Sequence, residues 1–108
     1  DAVIDALDKI PSRKLLREDC ARAAINYVYG AIQGWVAQAA VILPGCGLMD
    51  TLYPQGAELG SKSSLACTPA LCAALQTALC VKLLCGRQVE AGRLYLFDLL
   101  NMELETVF

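Results

Sequence analysis

Residues 23–49, AAINYVYGAIQGWVAQAAVILPGCGLM, run for 27 positions without one formal charge. The stretch reads as the continuation of a helix that Ser12 can cap. In that helix Leu15 and Leu16 open an apolar stripe that passes through Cys20, Ala23, Ala24 and Tyr27, with Arg13, Arg17, Glu18 and Arg22 outside it. The pattern predicts a helix to Leu43, ended by PGCG at 44–47, where Pro44 breaks the ladder and two glycines permit turn dihedrals. Gly30 and Gly34 stand in GxxxG spacing, and Ala23, Ala37, Ala39 and Ala40 add small surface. The face they define is expected to let a second helix approach closely, with Trp35 beside it as a core plug or interfacial anchor. If the helix is the centre of a soluble bundle, Gly34→Leu overpacks it; if the run serves close helix association in assembly or in lipid, Gly30→Ala leaves folding nearly intact while impairing oligomer formation and activity.

Outward from this run, DAVIDALDKI places Val3, Leu7 and Ile10 at helical spacing, a short amphipathic helix stopped by Pro11. Residues 44–64 are rich in glycine, proline and serine and read as a loop. Thr68-Pro69 is a helix-start signature, and the helix it opens runs through PALCAALQTALCVKLLC to a cap at Gly86. Residues 63–81 form a second uncharged run, 19 long. At the C-terminus Leu94, Phe97, Leu100 and Leu104 suit a helix, while Tyr95, Phe97 and Leu99 alternate as in a strand; the helix is the expectation, with a short β element as the alternative. The sequence therefore predicts one all-α domain over residues 1–108, a disulfide-stabilised bundle around a central apolar antiparallel helix pair.

Composition restricts the function. The chain is 56% hydrophobic and 19% charged, with mean hydropathy +0.47, a net charge of -2 and a pI near 4.9. No basic field for phosphate exists, so nucleic acid is not an expected partner. Six cysteines, Cys20, Cys46, Cys67, Cys72, Cys80 and Cys85, read as a disulfide framework of a secreted protein whose leader has been removed. Cys72 and Cys80 lie about 12 Å apart along one helix and cannot bridge each other. With an antiparallel helix pair, Cys46 lies near Cys67 or Cys72 and Cys20 near Cys80 or Cys85. The two left over bond another element, bond a second chain, stay free, or close locally within a CxxxxC pair.

The cysteine spacing is not that of zinc knuckles, and the absence of histidine removes the usual zinc partner together with Ser-His-Asp and Cys-His catalysis. Asp98, Glu103 and Glu105 contain a formal acid/base pair but read as a solvated face. Gly30 and Gly34 lie outside any strand-turn-helix phosphate loop. The expectation is a protein without catalytic residues, metal or cofactor, and not an enzyme. Arg13, Lys14 and Arg17 form the one basic cluster suited to anionic surfaces.

Residues 23–43 and 63–81 are each near the roughly 20 residues that cross a bilayer as helix, which makes a membrane-active hairpin conceivable. A small, secreted, cysteine-stabilised, histidine-free helical protein with a buried apolar hairpin resembles the secreted killer toxins of fungi and their viruses. The resemblance implies a toxin or effector that kills target cells through their membrane or a surface receptor, without substrate turnover. It also leaves room for a homo-oligomer or a disulfide-linked partner chain. A secreted lipid or sterol carrier and a structural or interaction subunit are the alternatives.

Overall fold

The long uncharged run does not fold as a helix. Asn26–Gln33 (β2) and Val36–Ile42 (β3) form an antiparallel hairpin within a five-stranded sheet. The chain is described here by a computed structural model covering residues 1–7, 9–45 and 65–107. Its other elements are β1 (Ala2–Ile4), α1 (Ile10–Arg22), α2 (Cys67–Leu84), β4 (Leu94–Asp98) and β5 (Glu103–Val107). The strands lie in sequence order; β1 is parallel to β2, and every other pairing is antiparallel.

The reason lies in residue type and in one helix end. Tyr27, Val28, Tyr29, Ile32, Val36, Val41 and Ile42 are aromatic or β-branched and favour the pleated strand surface. The helix that should have continued through them stops at Arg22. Ala24 adopts φ +56, and the amides of Ala24 and Ile25 bond back to the carbonyls of Ala21 and Cys20, the pattern of a Schellman cap with alanine in the place glycine usually takes. Gly34 and Trp35 then make a two-residue turn. Gly34 has φ +59 and Gln33 pairs with Val36, as in the type II′ hairpin that places glycine first.

Helices cover both faces of the sheet. On one face Leu16 and Cys20 of α1 pack with Val3, Tyr27, Tyr29, Ala40, Ile42 and Leu94. On the other, Leu75, Leu79, Cys80 and Leu83 of α2 pack with Ala2, Val28, Ala39, Val41 and Tyr95. Apart from its exposed tip at Ile32, Gln33 and Trp35, the central hairpin has no solvent face and needs no charge; a strand buried on both sides reads as an unbroken apolar run.

These elements overturn the all-α bundle and its helix pair. Ala2–Ile4 is a strand, and Pro11 sits in the first turn of α1, where a missing N–H costs nothing, so it opens a helix instead of closing one. The C-terminal segment is the β4–β5 hairpin, not a helix. The disulfide framework fails as well: Cys20, Cys67, Cys72, Cys80 and Cys85 are free thiols, and Cys46 lies outside the described residues. Cys20 and Cys80 belong to cores on opposite faces of the sheet, which stands between them. Most of the expected 44–64 loop, residues 46–64, also falls outside the described residues.

The second uncharged run was read more closely. Its helix spans Cys67–Leu84 and ends in a Schellman cap, with Gly86 at φ +71 and the Arg87 amide 2.8 Å from the Lys82 carbonyl. Among the described residues it is the one helix long and apolar enough to cross a membrane by length and composition. In this fold it covers the sheet. The membrane hairpin loses its other half, because residues 26–42 are strands.

Candidate active site

β1, α1 and β2 form a strand–helix–strand unit with parallel strands, and in open α/β sheets ligands collect beyond the carboxyl ends of such strands. Asp5, Ala6 and Leu7 leave β1 at that end, and Lys9 precedes α1. The N-terminus of α2 comes to the same end, since the Thr68 hydroxyl donates to the Gly34 carbonyl at 2.7 Å. Both hairpin turns are there too, joined by the Leu99 amide and the Trp35 carbonyl at 2.9 Å.

Beneath this end lies a buried polar cluster. Asp5 is 1% exposed, and its amide extends the ladder to the Val28 carbonyl at 2.9 Å. Its Oδ1 accepts from the Leu7 amide at 2.8 Å, and its Oδ2 accepts the Tyr27 hydroxyl. The Arg13 guanidinium stands 3.6 Å from the same Oδ2, which balances two charges that would be costly to bury singly. Arg13 also donates to the carbonyls of Gly30 and, at 2.5 Å, Leu7, and stacks 5.7 Å from the centre of the Tyr29 ring. From α2, Gln76 Nε2 donates to the Asp5 carbonyl at 2.8 Å and to the Val28 carbonyl at 3.3 Å.

Burial, reinforced by the neighbouring Asp5 carboxylate, pushes the Tyr27 phenol far above its ordinary pKa, so it stays protonated and donates. Burial likewise pushes the Cys72 thiol up, with Arg13 opposing, and the thiol sits 3.4 Å from the Gln38 carbonyl as a neutral donor. The Asp5 carboxylate accepts two hydrogen bonds and faces a cation, the arrangement of a holding group. Among the described residues no group of three or more His, Cys, Asp or Glu is placed to hold a metal ion.

The residues singled out in the sequence scatter. Arg13 is buried in the cluster, and Lys14 and Arg17 are half-buried, with Arg17 lining a recess beside Cys20, Ile25 and Ile42; they do not form a basic surface. Gly30 lies in β2 under the Gln76 amide, so it makes a strand–helix contact. Gly34 is the hairpin turn, and Trp35, at its tip, is 43% exposed. Asp98 caps the β4–β5 turn, where the Asn101 side chain and the backbone amides of Asn101 and Leu100 hold its carboxyl below the usual range. Glu103 and Glu105 are exposed on β5.

Asp5, Tyr27 and Gln76 were missed. The signal for Asp5 was a short apolar run closed by an acid just before a proline-led helix; for Tyr27 it was the alternation Tyr27-Val28-Tyr29. Gln76 offered none beyond being one amide in an otherwise apolar helix.

A sheet with helices on both faces, a parallel strand–helix–strand unit and a polar cluster at its carboxyl end define a wound α/β domain. The particular family follows from comparison: the whole chain, residues 1–108, matches the ThiF family, and the chain belongs to it. It is 32% identical over 114 residues to the SAMP-activating enzyme E1 of Haloferax volcanii, a match that covers 99% of this chain and 42% of that protein. The fold is also that of the E. coli MccB crystal structure with AMPCPP and selenomethionine MccA. There the TM-score is 0.72 at 13% identity, over 96% of this chain and 35% of MccB. The chain thus spans less than half the length of these relatives.

Family membership overturns the likeness to killer toxins and the expectation of a non-enzyme, since the H. volcanii relative is named as an activating enzyme. The carrier and structural-subunit alternatives find no support either. The expected target-cell membrane or receptor finds no support, and the names of the similar proteins carry SAMP and MccA instead.

Proposed function

We propose that this chain is part of an enzyme that activates a small protein or peptide by transferring AMP to it from ATP. The observation that carries the reading is the family match along the entire chain, joined to a relative named as a SAMP-activating enzyme. The chemistry is suggested by AMPCPP, an ATP in which a methylene replaces the oxygen between the α and β phosphorus atoms. That substitution protects the bond that breaks when AMP is transferred. In the reaction inferred here a substrate carboxylate attacks the α phosphorus, the α–β bridge breaks, and pyrophosphate leaves with the displaced electron pair. The product is an acyl adenylate, open to attack by a later nucleophile.

This chain's own residues contribute a rigid end to β1. Asp5, Arg13, Tyr27 and Gln76 fix the segment that faces the reacting groups, and the two hairpin turns flank it. The test is isotope exchange with the polypeptide that carries this chain. Labelled pyrophosphate should enter ATP only when a small protein substrate, with H. volcanii SAMP as the first probe, is present. Release of phosphate and ADP, or exchange indifferent to the added protein, counts against the reading.

A further inference from the structure

We propose that Asp5 and Tyr27 are positioning residues, which act on the reaction by fixing the backbone of residues 5–7; this rests on the function proposed above. The segment is short, yet side chains from α1 and α2 reach its backbone and one from β2 braces its acid. The Leu7 amide is held by Asp5 and the Leu7 carbonyl by Arg13 of α1. The Asp5 carbonyl is held by Gln76 of α2, and the Asp5 carboxylate by Tyr27 of β2. The Arg13 amide also reaches the Lys9 carbonyl at 3.1 Å, as the first bond of α1.

Packing alone does not explain this. A buried ion pair is often replaced by apolar side chains of equal volume without loss of stability, so a pair kept in the interior is better suited to specifying one geometry than to holding the fold together. Asp5, Arg13 and Tyr27 are buried, whereas Ala6, Leu7 and Lys9 are exposed beyond them. The segment is clamped from beneath and open above, as suits a surface that presents backbone and side chains to a bound substrate at a fixed distance. Tyr27 fits the task because its raised pKa keeps the proton on the phenol and the bond directed at Asp5.

The experiment compares the parent polypeptide with Tyr27→Phe and Asp5→Asn. The first keeps the ring and removes only the hydroxyl; the second keeps the shape and removes the charge facing Arg13. Two readouts are taken: pyrophosphate exchange with ATP and SAMP, resolved into kcat and KM per folded molecule, and hydrogen exchange of the peptide containing residues 5–7. We expect faster amide exchange in that peptide and a kcat about tenfold to a hundredfold lower, with KM for ATP within about twofold. A purely structural role would lower the folded fraction and leave kcat per folded molecule unchanged, and that result overturns the proposal. So does unaltered amide exchange. Should Asp5→Asn fail to fold, Tyr27→Phe alone decides. A parent without exchange removes the functional reading and this assignment together; an active parent with an intact Tyr27→Phe removes this assignment alone.

Discussion

The two uncharged stretches of this chain look alike in composition and fold differently. Residues 26–42 make the β2–β3 hairpin, in which Val28, Tyr29, Ala37, Ala39 and Ala40 have no exposed surface. Residues 67–81 make all but the last turn of α2, a helix with less than a third of its length buried; Ala73, Ala74, Ala78 and Val81 face outward. Charge is missing for different reasons. Below its exposed tip, the hairpin is the middle layer of three and has no side on which a charge could be solvated. The helix has such a side, but before Lys82 it carries alanines, Thr77 and Val81 there and no charge. Absence of charge therefore reports burial in one case and not in the other, and side-chain type separates them: aromatic and β-branched in the hairpin, leucine and alanine in the helix.

The contrast is most exposed to test where the two runs touch. A Cβ on Gly30 would fall inside the van der Waals envelope of the Gln76 amide, which is buried and tied to the carbonyls of Asp5 and Val28. Gly30→Ala must displace that amide and strand its partners, at about 2 to 4 kcal/mol. This reverses the expectation drawn from GxxxG, on which the same change leaves folding nearly intact. In a Gln76→Ala background the added methyl has room, so the cost of Gly30→Ala there should fall below about 1 kcal/mol. Equal costs in the two backgrounds, read from urea midpoints, would break the assigned contact.

The one-sided packing of α2 gives the next effect. Leu79 is buried against Val28 and Val41, whereas Val81, two residues on, is 52% exposed. Leu79→Ala should cost about 2 to 3 kcal/mol and Val81→Ala under about 0.5 kcal/mol. Similar losses from both would mean that α2 is covered on its outer side, and the contrast between the runs would narrow to strand against helix.

What could be read beforehand follows how each element signals its ends. The end of α2 was legible because Gly86 occupies the left-handed position that glycine fills at no steric cost. The end of α1 was not, because Ala24 takes the same position and alanine there carries no such signal. Once that stop was missed, the helical stripe of α1 ran on into Tyr27, and the alternation of Tyr27, Val28 and Tyr29 was absorbed into a helix. The turn itself was visible in principle: Gly34-Trp35, between apolar segments of eight and seven residues, is the Gly-X pair of a tight hairpin. The polar cluster was hidden for a different reason. Asp5, Arg13 and Gln76 come from three separate elements, and a charge that pattern assigns to solvent, as with Arg13, is buried only because the fold supplies its partner.

An effect smaller than that of Leu79→Ala isolates the turn from the packing. Gly34 has φ +59, and nothing lies within 4 Å of where its Cβ would be, so a substitution there meets no side chain. Only the backbone resists, and an L-residue forced to positive φ costs about 1 kcal/mol. Gly34→Ala should therefore shift the urea midpoint less than Gly30→Ala does, the reverse of the order that a helical GxxxG face implies. Chirality sharpens the test. D-alanine at position 34, introduced by semisynthesis, accepts positive φ without strain, and the same open space receives its methyl; it should match glycine or exceed it by narrowing the unfolded ensemble. Were L-alanine tolerated and D-alanine not, the backbone at 34 would have the opposite hand, the β2–β3 turn would be misassigned, and the hairpin that separates the two uncharged runs would lose its hinge.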